Sequence, residues 1–368
     1  MELYIERASL LKALEKIDGI IDVKRVLPIL TNTYFKAQEN RITLYATDLN
    51  LSVITETPAE VTVPGETVIP AKPFYQLIKE LEDGKLHLLY DGKSNRMNIR
   101  IGKYSGHIAC LSPEDFPNIP NYQFPQTVEF HTSLLIDIYK KIKFSISDVK
   151  QKFGLSGILF HFKEKSVSCV TTDRHRLSFG EFYLPKYSPD FQYKQVVLSR
   201  KCLDEFNKMF SAEDNIIAYA SDKNLTFAQE NNILITKFLD EEFPDYSVLI
   251  PKEFHKVYQV DRKELILALK RVVVLSNEIT RGIIMDFKGK TLTVRSTESE
   301  LGKAEATLDV APDLGSYSIC FNARYILDVL DVLTEDTVEF CFKEDNEEAA
   351  VLRDKERYPF IYVVMPIS

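Results

Sequence analysis

Pro70-Ala71-Lys72-Pro73-Phe74 follows a short apolar run, Thr67 to Ile69, and opens an amphipathic helix. Phe74, Leu77, Ile78 and Leu81 fall at i, i+3, i+4 and i+7, one face of a helix. The same arrangement occurs twice more. Ser199-Arg200-Lys201-Cys202-Leu203 follows Val196 to Leu198 and keeps Leu203, Phe206 and Phe210 in register, with Asn207 as the polar exception. Asn322-Ala323-Arg324-Tyr325-Ile326 follows Ile319 to Phe321 and places Ile326, Val329, Leu330 and Leu333 on the stripe. Ser199 and Asn322 are N-cap residue types and Pro70 is a plausible entry residue.

A second helix precedes each of these by about half a repeat: roughly Arg7 to Ile17, Thr132 to Phe144 and Asp261 to Val274, with Lys16, Lys140 and Lys270 at matching places. Each leads into an apolar strand with a polar or proline break, at Leu27-Pro28-Ile29-Leu30, Leu155-Ser156-Gly157-Ile158-Leu159 and Arg281-Gly282-Ile283-Ile284-Met285. Alternating runs such as Arg41 to Ala46 and Thr291 to Val294 read as half-buried strands. Two copies end alike, at Phe116-Pro117-Asn118-Ile119-Pro120 and Phe243-Pro244-Asp245-Tyr246, where proline cannot continue a ladder. The expectation is an α+β chain of three similar domains, 1–124, 125–251 and 252–368, each with two helices packed on antiparallel sheet.

A chain of 368 residues is long enough for two or three domains at about 150 residues each. With 45% hydrophobic and 27% charged residues it can bury full cores. Five cysteines, far apart and never in C-x-x-C spacing, argue against a disulfide framework or a zinc site and fit a reducing cytoplasm. The N-terminus lacks a signal-like pattern and no apolar run has membrane-spanning length, so the expectation is a cytoplasmic protein with no membrane partner.

The formal net charge of −8 predicts a surface that repels nucleic acid as a whole. The repeat locally reverses this. Lys72, Lys201 and Arg324 each stand in a first helical turn, where the macrodipole disfavours a cation by roughly 0.3–1 kcal/mol. Three such choices call for a compensating anion, and a helix N-terminus with a lysine suits phosphate. Lys24, Arg25, Lys140, Lys141, Lys143, Lys150, Lys152, Arg200, Lys270 and Arg271 add to a basic helical face, while Asp240 to Glu242 and Glu344 to Glu348 carry acid elsewhere. Contact with phosphates alone is indifferent to base sequence and sensitive to salt.

Catalytic patterns are weak. Gly289-Lys290-Thr291 and Gly92-Lys93-Ser94 end like phosphate-binding loops, but Ile284 and His87 stand where the opening glycine belongs, so hairpin turns are expected. The six histidines have no metal-ligand spacing. In Thr171-Thr172-Asp173-Arg174-His175-Arg176-Leu177, read as extended, Asp173 and His175 share a face and could form an acid/base pair. An isolated Asp-x-His is more often a structural hydrogen bond. No catalytic residue, metal or cofactor is expected.

Several short motifs, in this order and spacing, resemble the bacterial DNA polymerase III β subunits, the DNA sliding clamps, over the whole chain. They are Leu27-Pro28-Ile29-Leu30, Ala46-Thr47-Asp48-Leu49, Asp115-Phe116-Pro117, Thr172 to Leu177, Phe243-Pro244-Asp245-Tyr246, Leu275-Ser276-Asn277-Glu278 with Arg281-Gly282, and Tyr362-Val363-Val364-Met365-Pro366. The resemblance implies a non-enzymatic processivity factor, a homodimer of three-domain chains closing head to tail into a ring around double-stranded DNA. Its implied partners are the DNA polymerase III catalytic subunit, a clamp loader, and other polymerases and repair proteins bearing short linear motifs. Lys24, Lys72, Lys140, Lys201, Lys270 and Arg324 would face DNA.

The resemblance also implies a partner-peptide pocket from Leu155, Thr172, Arg174, His175, Arg176 and Leu177, with Pro244, Val248 and Leu249, and with Val363, Met365, Pro366 and Ile367. Arg174 replaces a glycine usual in the family, Val248 stands where a basic residue is common, and the Ile367-Ser368 ending lacks a common basic penultimate residue. The implied dimer seam sets His107 and Ile108, on an edge strand, against Val274 and Leu275. Arg96, Arg100 and Lys103 would oppose Glu298, Glu300 and Glu305.

Overall fold

The computed structural model describes residues 1–21, 27–122, 127–147, 155–187, 195–221, 223–240, 242–251, 253–297, 302–343, 349–354 and 360–367. Lys24, Arg25, Lys150, Lys152, Glu298 and Glu300, all named above, lie outside the described residues. Contacts divide the chain into two compact units. The first comprises Met1–Ser133, Leu184–Gln192 and Lys201–Phe238; the second comprises Leu134–Tyr183, Tyr193–Arg200 and Leu239–Ser368. The middle third of the sequence is therefore shared between the two units. Strand pairing explains the division: one part of that third adds strands to the N-terminal sheet, and another adds them to the C-terminal sheet.

Among the described residues there are six α-helices: α1 (Arg7–Asp18), α2 (Ala71–Glu80), α3 (Thr132–Ile142), α4 (Arg200–Met209), α5 (Arg262–Val272) and α6 (Ala323–Val332). The three helix starts read from Lys72, Lys201 and Arg324 are those of α2, α4 and α6, with the cation at the second helical residue each time. Asn322 caps α6 by accepting from the Arg324 N–H at 2.9 Å, and Asp261 caps α5 by accepting from Glu264 N–H at 2.8 Å. The ends expected at Phe144 and Val274 are shorter α-helices followed by 3-10 turns, Lys143–Ser145 and Val273–Leu275.

The first unit holds a nine-stranded antiparallel sheet, in which Leu51–Pro58 pairs with Asn232–Lys237 through Val53 opposite Leu234. Its second sheet has five strands and ends on Tyr104–Ala109, an edge strand paired only with Arg96–Ile101. Helices α1 and α2 pack together, burying Leu10, Leu14, Ile17, Phe74 and Ile78. Arg7 ties them by donating to the carbonyl of Ile78 at 3.0 Å and to that of Lys79, supplying a cation where the α2 dipole is negative. In the second unit Arg262 does the same for α6, donating to Leu330 O at 3.0 Å and Glu335 O at 2.8 Å. These arginines bind protein carbonyls at their paired helix ends.

The second unit is built on a twelve-stranded antiparallel sheet whose core stacks Tyr258 on Phe287, ring centroids 4.3 Å apart, beside Phe340 and Phe342. The glycine-lysine motifs are hairpin turns: Lys288 pairs with Thr291 across Gly289-Lys290, and Asp91 with Arg96 across residues 92–95.

A first local expectation fails here. Leu27-Pro28-Ile29-Leu30 is not a strand; Pro28–Thr31 form a 3-10 turn and the strand starts at Asn32. Proline suits the first position of such a turn because no N–H is needed there. The nearly buried Asn32 amide then donates to Pro28 O at 3.2 Å and Ile29 O at 3.0 Å. Asn32→Ala should remove one donor from each carbonyl, leaving the Thr31 hydroxyl on Pro28 O and the residue 32 N–H on Ile29 O, and destabilise the protein by about 0.5–1.5 kcal/mol, read as an earlier urea midpoint. An unchanged midpoint would show that the turn holds without this amide.

Candidate functional site

The Thr172–Leu177 segment is not extended. It connects strands Ser166–Thr172 and Arg176–Tyr183 through a tight turn built by two side chains. Asp173 Oδ1 accepts from the N–H groups of His175 and Arg176, both at 3.0 Å. Thr172 Oγ1 accepts from Arg174 N–H at 3.2 Å and donates to Arg176 O at 2.7 Å. The turn puts Arg174 at φ +77°, in the left-handed region where a β-carbon costs about 1–2 kcal/mol. It also dissolves the proposed Asp173–His175 pair, because the carboxylate holds backbone N–H groups while the His175 ring stacks on Tyr325 at 6.0 Å.

Arg176 anchors this turn. Its guanidinium donates to Asp173 Oδ2 at 3.0 Å, Asp328 Oδ2 at 2.6 Å and Phe144 O at 2.6 Å. It lies between the rings of Phe144 and Tyr325, 5.0 and 4.6 Å from their centroids. The residue is only 8% exposed, so its charge needs both carboxylates. Arg324, at the α6 start, lies 3.9 Å from the same Asp328.

Strand Ile361–Val364 pairs with Arg176–Phe179, setting Val363 opposite Leu177, and Met365 N–H donates to His175 O at 2.8 Å. Beside this ladder opens a cavity of about 610 Å³. Leu155, Leu177, Leu249, Val363 and Met365 supply apolar lining, while Thr172, Arg174 and Arg176 edge it. Its other wall is Glu242-Phe243-Pro244-Asp245. That wall is fixed from beneath by the buried Tyr246, whose hydroxyl is 2.8 Å from His161 Nδ1. Asp245 caps the turn Tyr246–Val248, and the Ser247 hydroxyl and N–H hold its carboxyl below the usual range. Under the floor lies Cys341, whose thiol burial pushes up to about 11, a core group and not a nucleophile.

Nine of the thirteen residues expected at a peptide pocket line this one cavity. The other four, His175, Val248, Pro366 and Ile367, are outside its lining; Val248 is 76% exposed nearby in sequence, and Ile367 N–H donates to Cys320 O at 2.9 Å. Glu242, Phe243 and Asp245 were missed as pocket residues, although the motif containing the last two was legible as a chain exit.

Three consecutive family models match the chain: the N-terminal domain of the DNA polymerase III β subunit over residues 1–120, the central domain over 129–245 and the C-terminal domain over 247–368. A β sliding clamp of Vibrio cholerae is 31% identical over 374 residues, covering all of both chains. The chain belongs to the β sliding clamp family. A Caulobacter vibrioides β sliding clamp is 30% identical, again over the full length of both. The solved sliding clamp of Pseudomonas aeruginosa bound to griselimycin superposes with a TM-score of 0.93 at 25% identity, covering 100% of this chain and 99% of that one. A Caulobacter crescentus clamp with polyethylene glycol at a putative β-motif tethering region gives 0.92 at 28%, with the same coverages.

Within this clamp-family chain the basic residues differ in environment. Lys140, Lys270 and Arg324 are exposed, whereas Lys72 and Lys201 are half-buried. Lys201 Nζ donates to the buried Asp48 at 3.0 Å, so its unfavourable place at a helix start is compensated from within the protein. Lys16 is likewise engaged, donating to Asn232 Oδ1 at 2.8 Å, and burial lowers its pKa. On the edge strand His107 is exposed and Ile108 half-buried; Arg96, Arg100 and Lys103 are exposed. Val272 is core, Val274 is 67% exposed and Leu275 is half-buried.

Arg176→Met should strand Asp173 and Asp328 and destabilise the protein by about 3–5 kcal/mol. Denaturant melts of the variant and of the double variant Arg176→Met/Asp328→Leu check this. The double variant should recover part of the loss; no recovery would separate Asp328 from the Arg176 charge.

Proposed function

We infer that this chain is a processivity clamp: two copies close head to tail into a ring around duplex DNA, and the ring carries polymerases by their linear peptides. The consecutive match to all three clamp-domain models is the observation that supports it most strongly. In this reading the domains are 1–124, 125–251 and 252–368, and the protein acts by enclosure, as a non-enzyme of the cytoplasm. Lys24, Lys72, Lys140, Lys270 and Arg324 meet phosphates, with Lys201 contributing least because Asp48 already holds it. Weak, interchangeable phosphate contacts allow sliding because none fixes a sequence register.

The cavity beside Leu177 and Met365 takes an apolar side chain of a partner peptide. Seven of its described lining residues are apolar, Phe243 and Pro244 among them, and an unbranched methionine adapts to different guests. The DNA polymerase III catalytic subunit, a clamp loader and repair proteins are the partners of this reading. The seam pairs the open edge Tyr104–Ala109 of one copy with the Val274–Leu275 region of the other. An edge strand has unpaired backbone groups, and basic Arg96, Arg100 and Lys103 suit acidic Glu305, with Glu298 and Glu300.

Loaded onto nicked circular DNA, the protein should be retained through gel filtration and lost when the circle is linearised. Equal loss from both would favour a monomeric peptide-binding scaffold. Changing Lys72, Lys140 and Lys270 to alanine should flatten the log–log salt dependence of binding by about 0.9 per lost phosphate contact. Val274→Asp with Leu275→Asp should give folded monomers by solution mass; a persistent dimer would place the seam elsewhere.

A further inference from the structure

The turn at the large cavity has a twin in the first unit. Thr47-Asp48-Leu49-Asn50-Leu51-Ser52 joins Arg41–Thr47 to Leu51–Pro58 with the same hydrogen bonds. Asp48 Oδ1 accepts from Asn50 and Leu51 N–H at 3.0 and 2.8 Å; Thr47 Oγ1 accepts from Leu49 N–H at 3.0 Å and donates to Leu51 O at 3.1 Å. Leu49 has φ +73°, against +77° for Arg174. The neighbouring strand repeats too. Ser52 faces Ile235 across its ladder as Leu177 faces Val363 across its own.

A cavity of about 160 Å³ lies at the corresponding place, lined by Leu49, Ser52, Pro117, Asn118, Ile235 and Lys237 among others. Register maps Ile235 and Lys237 onto Val363 and Met365, and the Phe-Pro-Asn of residues 116–118 onto Phe243-Pro244-Asp245. The chemistry, however, is changed: Ser52 stands for Leu177, and Lys237 for Met365. The space falls from about 610 Å³ to about 160 Å³, which admits one side chain. Lys237 is exposed and is the only formally charged residue among the described residues of the lining. Asn224, also in the lining, has its Oδ1 shielded from solvent with no hydrogen-bond donor. A guest there needs a negative charge for Lys237, the shielded Asn224 Oδ1 being out of its reach.

We propose that this smaller cavity is a second docking site, which takes one acidic residue of an extended peptide with its carboxylate on Lys237. It extends the reading of the larger cavity as a peptide site: an apolar anchor enters one and an acidic residue the other. An aspartate or glutamate residue carries the charge that answers Lys237, whereas an apolar residue leaves the lysine unanswered.

Methyl-labelled full-length protein separates the two sites, since the Ile235 methyl reports the small cavity and the Met365 methyl the large one. The probes are Ac-Ala-Glu-Ala-NH₂, Ac-Ala-Gln-Ala-NH₂ and Ac-Ala-Leu-Ala-NH₂. The glutamate peptide should shift Ile235 and leave Met365 unmoved, binding about fivefold more tightly than the glutamine peptide, the upper range for an exposed ion pair. Lys237→Met should remove that preference. Equal binding of the two peptides, a preference that survives Lys237→Met, or no response at Ile235 would each overturn the proposal. Failure of the leucine peptide to shift Met365 counts against the larger cavity as a peptide site and is read independently of Ile235.

Discussion

The candidate site depends on a ladder between residues far apart in the chain, Arg176–Phe179 against Ile361–Val364. Antiparallel pairing fixes register, and register decides which side chains share a face. Leu177 and Val363 therefore stand opposite each other and Met365 reaches the turn at His175. Arg176 makes the arrangement rigid from behind. With two carboxylates, one carbonyl and two rings around it, its guanidinium has a single well-satisfied position. A turn carrying a left-handed arginine can persist next to it because its hydrogen bonds outweigh the strain.

The same device, used twice, accounts for how the units are built. A Thr-Asp turn ends one strand, and the next strand of that hairpin is joined by a strand from further along the chain. Where the filling residues are leucine, valine and methionine, a wide apolar cavity results; where they are serine, isoleucine and lysine, a narrower and more polar one does. Sheets that continue past a boundary in the sequence explain why the middle third is divided between two compact units. Compactness follows ladders, whereas repeats follow ancestry of pattern.

Helix starts were legible because capping residues, apolar stripes and the cation at the second position recur in a short local window. The hairpin character of Gly289-Lys290 was legible for the same reason. The strand expected at Leu27–Leu30 was misread because apolar content alone does not distinguish a strand from a 3-10 turn, and the deciding bonds come from Asn32. Arg174 could not be placed by alternation, since the turn is shaped by hydrogen bonds from Thr172 and Asp173. The pairing of Lys201 with Asp48, 153 positions away, had no local signal at all. Family resemblance located most of the larger cavity, yet its acidic wall at Glu242 and Asp245 emerged only from the fold.

The strand Ile361–Val364 lies inside its sheet, between Arg176–Tyr183 and Ala350–Asp354, and not at a rim. A ribosome makes those residues long after their partners Arg176–Phe179. The hairpin at Arg176 must therefore wait, with one side of its ladder open, until Ile361–Val364 have been made. Such distant closure is slow relative to local pairing. A chain that stops before Ile361 never forms this ladder and lacks the cavity lining that Val363 and Met365 supply.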